Sequence, residues 1–318
     1  MTKVWVITRY LTDIEADNLD IGNLTQEKQS SIFEAIKVRD GFRKIGIHVK
    51  IVSMDEIGKL PDISYIPRNK LPDIIVVRCM IHSQKEIMIL NKFCSSGITV
   101  MNNPTAQSLC TFKSYQYNKL LNSKIPIPNT TSILLFSTHN EIENTIEKGG
   151  LKYPLVVKSN CGSRADTVFK CHNLDDILES LEKIHAIYPH SRIAILQEWI
   201  DHRSNGIISV LTLGENIIGA QQRTANREID FFISNYRKDC NRCIYDVTDE
   251  LRKITLSAIK CIGNIEMSRL DIFHDGEKYL IGEVNSPGSF LSYDLFMGMD
   301  CGLMTAKYVM KKYERDNL

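Results

Sequence analysis

The sequence predicts an α/β protein of three units, and three observations predict it. Strand-like and helical segments alternate over residues 1–105, shorter mixed signals follow, and the last unit holds strand pairs joined by tight turns. With 318 residues the chain is long enough for two or three domains, and 43% hydrophobic with 24% charged residues is an ordinary globular composition.

In the first unit, residues 1–108, "VWVITR" reads as a strand and "SSIFEAIKVRDGFRKIG" as a helix. "HVKIVSM" and "DIIVVRC" are further strands, "KEIMILNKFCSSG" is a helix ending at Gly97, and "GITVMNNP" is a strand stopped by Pro104. This order implies a parallel sheet. Arg9 and Arg78 each follow a strand at its carboxyl edge, where such sheets bind ligands. Either is a candidate to meet a substrate carboxylate, with a surface ion pair as the alternative.

The second unit, residues 109–198, opens with a helix in "TFKSYQYNKLLNSKIPIP" that contains Lys113 and stops before Pro126. It continues with the strand "TSILLF", a glycine-capped helix in "HNEIENTIEKGG", and two strands joined by a polar turn in "YPLVVKSNCGSRADTVFKC". "LDDILESLEKIHAIY" is amphipathic, with Leu174, Ile177, Leu178, Leu181 and Ile184 on one face, and "IAILQEWI" is a buried strand. In the third unit, residues 199–318, "GIISVLTLGENIIGAQQRT" is a hairpin turning at Gly214-Glu215-Asn216. The helix "DELRKITLSAIKCIG", the strands "MSRLDIF" and "KYLIGEVN" around His274-Asp275-Gly276, and a closing helix near "GLMTAKYVMKKYE" complete it.

Lys plus Arg number 39 against 38 Asp plus Glu, so no global field draws the chain to nucleic acid or an acidic membrane. No segment approaches the roughly 18 apolar residues of a spanning helix, and "MTKVWVITRY" lacks a leader pattern, so a cytoplasmic protein is expected. The nine cysteines are odd in number and widely spread, and are read as reduced. Cys240 and Cys243 in "DCNRC" have metal-like spacing but no second pair, and read as a polar loop with incidental thiols.

Strand periodicity puts Glu283 and Asn285 on one face, and the turn lets Asp271 reach that face from the neighbouring strand. Two carboxylates and an amide form an all-oxygen cluster that suits Mg²⁺. A solvated hairpin whose acids sit together by chance fits the same spacing. Lys113 and Lys158 stand at the ends of elements where a phosphate would be met, and the loop "SNCGSRADT" holds Gly162 and Ser163 with backbone donors to close over phosphates.

"VVK", a small-residue loop, "LQEWI", "RLDIF" and "GEVNSPG", in this order, resemble the ATP-grasp ligases, and within them the RimK-like carboxylate–amine ligases. The resemblance covers roughly residues 75–312. It implies a Rossmann-like N-terminal domain, a small central lid domain and a C-terminal domain with a mixed or antiparallel sheet. It implies that Lys113 and Lys158 contact the α and β phosphates of ATP and that the loop from Gly162 to Val168 covers the triphosphate. Gln197, Glu198, Trp199 and Ile200 would form the hinge that holds adenine, with Asp201 near the ribose. Asp271, Glu283 and Asn285 would bind two Mg²⁺ ions, or Mn²⁺ in their place, with Glu283 bridging. Arg223 would face the transferred phosphoryl group, Asn235 would line the same pocket, and Ser289 onward would line the acceptor side. The implied reaction makes an amide through an acyl phosphate, joining an amino acid to a peptide, carrier protein or small molecule. Oligomeric state, a homo-oligomer included, stays open.

The chain departs from the family pattern at several positions. Ala165 and Thr167 occupy later glycine positions of the loop, Ile207 and Ser209 stand where a D-x-R pair is expected, and "YRKDC" replaces the glycines after Asn235. Two alternatives therefore accompany the ligase: a kinase of the inositol-phosphate type on the same fold, and a non-catalytic ATP-binding scaffold.

Overall fold

The structure, a computed structural model, describes residues 2–9, 11–12, 26–81, 83–162, 167–202, 205–225, 240–263 and 265–317. Among these, three sheets organise the chain.

The first is parallel, in the order β2-β1-β3-β4, from β1 (Lys3–Thr8), β2 (His48–Ser53), β3 (Ile74–Val77) and β4 (Thr99–Met101). All four residues of β3 are buried and apolar, as a central parallel strand covered on both faces requires. Helices α1 (Gln26–Lys44), α2 (Met54–Lys59) and α3 (Gln84–Ser95) connect its strands. Pro104, read as a stop, instead occupies the first turn of α4 (Pro104–Thr111), where its missing N–H costs nothing and Asn103 caps Thr105 and Ala106. Helix α5 (Lys113–Asn122) follows directly.

The second sheet is antiparallel, in the order β5-β8-β6-β7, from β5 (Thr130–Leu134), β6 (Leu155–Ser159), β7 (Val168–Cys171) and β8 (Ile193–Glu198). Leu155, Val157, Ala194 and Leu196 form its apolar face, against α6 (His139–Lys148) and α7 (Leu174–Ile187). The opposite face carries Lys158 and Gln197.

The third sheet, β11-β10-β9-β12-β13, comprises β9 (Ile207–Leu213), β10 (Asn216–Ala225), β11 (Cys240–Ile244), β12 (Met267–His274) and β13 (Tyr279–Asn285). Its back face, including Ile208, Val210, Leu270, Ile272 and Val284, packs on α8 (Asp249–Ile262) and on α4 and α5. Its front face is divided. Leu211, Leu213 and Met267 join the core of the N-terminal unit, whereas the far end is polar. The C-terminal helices are α9 (Leu291–Met297) and α10 (Cys301–Asp316). At the crossing of α10 on α1 a Cβ on Gly302 would lie 2.2 Å from the Lys37 carbonyl oxygen, so the backbones meet at a distance only glycine permits.

The "DCNRC" segment is a strand rather than a loop. Cys240 pairs with Ala225 and Cys243 with Gln222, and an odd spacing on a strand turns the two thiols to opposite faces. They do not converge on one metal ion.

Candidate active site

The polar end of the third sheet is floored by side chains from four neighbouring strands. Asp271 is in register with Glu283 on β13 and with Ser209 on β9, and Ser209 with Gln221 on β10. A bulge at Gly282 lets β13 advance one residue, which keeps Glu283 and Asn285 on the face of Asp271. A side chain at Gly282 would strike the Phe273 ring at 2.6 Å. Helix α5 fixes this edge: the Gln116 side chain donates to Val284 O (2.8 Å) and accepts from Val284 N (2.9 Å), and Tyr117 Oη donates to Gly282 O at 2.7 Å.

Two neighbouring acids on the floor are flanked by cations. Lys113 Nζ lies 3.0 Å from Glu283 Oε1 and donates to Gly162 O at 3.1 Å. Arg223 Nη2 donates to Asp271 Oδ1 at 2.5 Å, Ser209 Oγ reaches the same oxygen at 3.3 Å, and Arg269 and Asn285 approach Oδ2 at 3.4 and 3.5 Å. Burial alone would push the Asp271 carboxyl up, but Arg223, Arg269 and the Ser209 hydroxyl hold it below the usual carboxylate range. Burial lowers the pKa of Arg223, with Asp271 opposing.

Lys158 faces this floor from the second sheet. It is buried and donates to Tyr117 Oη (2.5 Å) and Gln197 Oε1 (2.9 Å), and Gln197 in turn donates to Thr130 Oγ1 at 2.7 Å. Burial brings its pKa down to about 7; Glu283 opposes the shift and Lys113 adds to it. Among the described residues no carboxylate is in direct contact with the Lys158 ammonium, while Lys113 has Glu283.

The other residues expected at the site are placed as follows. Glu198, at the end of β8, accepts from the Asn129 N–H at 2.6 Å. Trp199 stacks under Lys170, whose Nζ is 4.3 Å from its ring centroid, and Ile200 O meets His202 Nδ1; Asp201 is exposed. Gly162 has φ +114°, the left-handed region, and a Cβ there would strike Tyr188 Oη at 2.5 Å, so this loop position requires glycine. Ser163, Ala165 and Asn235 lie outside the described residues. Arg9 pairs with Glu86 (2.7 Å) and donates to Met80 O. Arg78 is not at the surface: it is buried and donates to Glu34 (2.6 Å) and Gly288 O (3.1 Å).

Glu34 was not legible as a site residue, since nothing in "SSIFEAIK" marks one acid on a helix as buried. Its other oxygen accepts from Ser289 Oγ (2.5 Å), Phe290 N (2.8 Å) and Leu291 N (3.0 Å), so it holds the chain leaving β13. Arg269 carried a usable signal, standing two residues before Asp271 and hence on its face. Glu34→Ala is expected to destabilise by about 3–5 kcal/mol, because Arg78 is left as an unpaired buried charge. Denaturant unfolding would show it, with Glu34→Leu/Arg78→Met recovering much of the loss; equal losses in both variants would contradict the ion-pair account.

Lys158 from the second sheet and Lys113 from α5, set over an acid–amide cluster on the third sheet, are the arrangement of an ATP-grasp enzyme. Residues 111–308 match the RimK-like ATP-grasp domain, and the chain belongs to that family. It is similar to N-acetylaspartylglutamate synthase A of Mus musculus, at 24% identity over 300 residues, 89% of this chain and 74% of that protein. It is 28% identical over 192 residues to the α-aminoadipate–LysW ligase LysX of Saccharolobus solfataricus, covering 59% of this chain and 66% of that one. Of four further vertebrate relatives, at 20–23% identity, the chain spans 58–60% of the length. The fold is shared with the D-alanine–D-alanine ligase of Bacillus anthracis complexed with ATP, at a TM-score of 0.71 and 15% identity over 99% of each chain. Among the described residues no helix is long and apolar enough to cross a membrane.

Proposed function

We propose that this protein is an ATP-dependent carboxylate–amine ligase that joins an amino acid to a peptide, carrier-protein or small-molecule partner. The observation that carries this reading is the charged row Lys113–Glu283–Asp271–Arg223 beneath the buried Lys158. The relatives named above are ligases, which supports the class. The functional division is into residues 1–108, 109–198 and 199–318, with the central unit as lid.

On this reading Lys113 and Lys158 hold the phosphates of ATP, and the hinge from Gln197 to Asp201 holds its nucleoside. A substrate carboxylate oxygen attacks the γ-phosphorus and ADP leaves. The amine nitrogen then attacks the acyl carbon, phosphate departs with the C–O electron pair, and the nitrogen gives up a proton. Arg223 neutralises the charge that develops in both steps, and Asp271, itself held by Ser209 and Arg269, keeps Arg223 in place. The donor set fits Mg²⁺: Asp271 and Glu283 are in register, their side chains 19% and 26% exposed, with Asn285 beside them. Mg²⁺ held there by Asp271, Glu283 and Asn285 would screen the phosphates and polarise the γ-phosphoryl group.

The test is phosphate release from ATP and Mg²⁺ by the purified protein, supplied with pooled carboxylic acids, amino acids and peptides. Release that depends on both an acid and an amine, and is lost in Glu283→Ala, is expected. No release, with ATP bound equally by Glu283→Ala, overturns the reading, and a phosphorylated product in place of free phosphate identifies a kinase.

A further inference from the structure

A cavity of about 230 Å³ lies on the β10–β11 side of the site, lined by Gln221, Arg242, Cys243, Ile244 and Phe296. It adjoins the reacting centre. Arg242 is the register partner of Arg223, and Gln221 stands two residues before Arg223 on the same face of β10. Helix α9 is held against this part of the sheet: Gln221 Nε2 donates to Ser292 O at 3.1 Å, and Tyr293 Oη donates to Ser209 O at 2.7 Å. Gly219 makes room for it, because a Cβ there would sit 2.9 Å from the Tyr293 ring and 3.0 Å from Met297 Sδ. So held, α9 brings the Phe296 ring to 5.8 Å from the Arg242 guanidinium.

We infer that this cavity takes the amine substrate, and that the substrate is a single α-amino acid with one carboxylate and an apolar side chain. This deepens the ligase reading and rests on it. Arg242 offers a planar fork matched to a carboxylate. Gln221 is 1% exposed and its Oε1 has no hydrogen-bond partner among the described residues, a buried acceptor suited to an amine N–H. Ile244 and Phe296 are 63% and 58% exposed, and neighbouring Leu295 is 73% exposed, which gives the cavity an apolar rim. Arg242 is the one cation among the described residues that line the cavity. Among the described lining residues, a second, side-chain carboxylate would find no cation beyond Arg242. The volume is also below the roughly 300–1,000 Å³ of drug-sized ligand sites, which favours one amino acid over a peptide.

Calorimetric titration of the full chain, with Mg²⁺ and a non-hydrolysable ATP analogue, tests this with L-leucine, L-leucinamide and L-glutamate. L-leucine is expected to bind at least about tenfold more tightly than either of the others, a single carboxylate contact being worth 1.4 kcal/mol or more. Arg242→Gln should weaken L-leucine by at least that factor and erase its advantage over leucinamide, with Arg242→Lys intermediate. Far-ultraviolet dichroism and the unfolding midpoint report whether each variant is folded. Absence of L-leucine binding, glutamate binding as tight as leucine, or an L-leucine affinity unchanged in folded Arg242→Gln overturns the inference. Phosphate release from the pooled substrates is read separately. Leucine binding without release sinks the ligase reading and leaves the cavity assignment standing, whereas release driven by glutamate but not leucine sinks the cavity assignment alone.

Discussion

Asp271→Asn is expected to lower ATP turnover by roughly 10³-fold or more and to destabilise the folded chain by about 3–5 kcal/mol, both from the loss of one charge. The side chain keeps its shape, so the effect is electrostatic. Arg223 and Arg269 both lie against Asp271, and Arg223 is only 4% exposed. With an amide between them the two guanidinium groups face each other across a poorly solvated gap. On the ligase reading proposed above, Arg223 then loses the partner that would aim it at the transferred phosphoryl group. Phosphate release and the thermal midpoint should fall together. A variant with a wild-type midpoint and no turnover would mean that Asp271 acts on the phosphates alone; one that melts early but turns over normally would remove it from the chemistry.

Lys158→Met is expected to separate activity from stability. Removing a buried ammonium relieves its desolvation; Tyr117 Oη and Gln197 Oε1 each lose a donor, but Tyr117 Oη keeps its own bond to Gly282 O and Gln197 Nε2 its bond to Thr130. Stability should change by less than about 1.5 kcal/mol, while kcat/KM for ATP falls by roughly 10²–10³-fold. Because folding lowers this pKa from 10.5 to about 7, the native state holds fewer protons than the unfolded chain between those values. Burial of Lys158 is therefore most costly below about pH 7, and that cost fades as pH rises toward 10.5. The triphosphate should recharge the amine. Calorimetry at pH 8 in buffers of different ionisation enthalpy is expected to show uptake of nearly one proton per ATP, abolished in Lys158→Met. Wild-type binding with no proton uptake would be incompatible with a neutral Lys158.

The order of elements was legible in the sequence because local periodicity is strong in segments such as "DIIVVRC" and "LDDILESLEKIHAIY". The pairing of "MSRLDIF" with "KYLIGEVN" was legible too, because His274-Asp275-Gly276 is a compact turn and both flanks alternate. The alternation that put Glu283 beside Asn285 also put them opposite Asp271. What local pattern does not carry is partnership at long range. Pro104 fits equally well as a strand stop and as a helix start, and only Asn103 with its two capped N–H groups decides between them. "DCNRC" has no apolar alternation, and becomes a strand because β10 offers it an open edge. Gln116 and Tyr117 resemble ordinary helix residues until β13 lies beside them. Arg78 stood at the right sheet edge for a ligand contact, but its partner is Glu34, 44 positions away.

That partnership bears on how such an enzyme could be recombined. Glu34 belongs to the N-terminal unit and grips residues 289–291, while α10 returns from the C-terminus to lie on α1 at Gly41 and Gly302. The boundary that appears along the chain is therefore not a seam in three dimensions. A chimera that exchanged residues 1–108 for those of a relative would inherit a foreign helix beneath its own residues 289–291, and would need residues 289–316 from the same donor to remain a matched set.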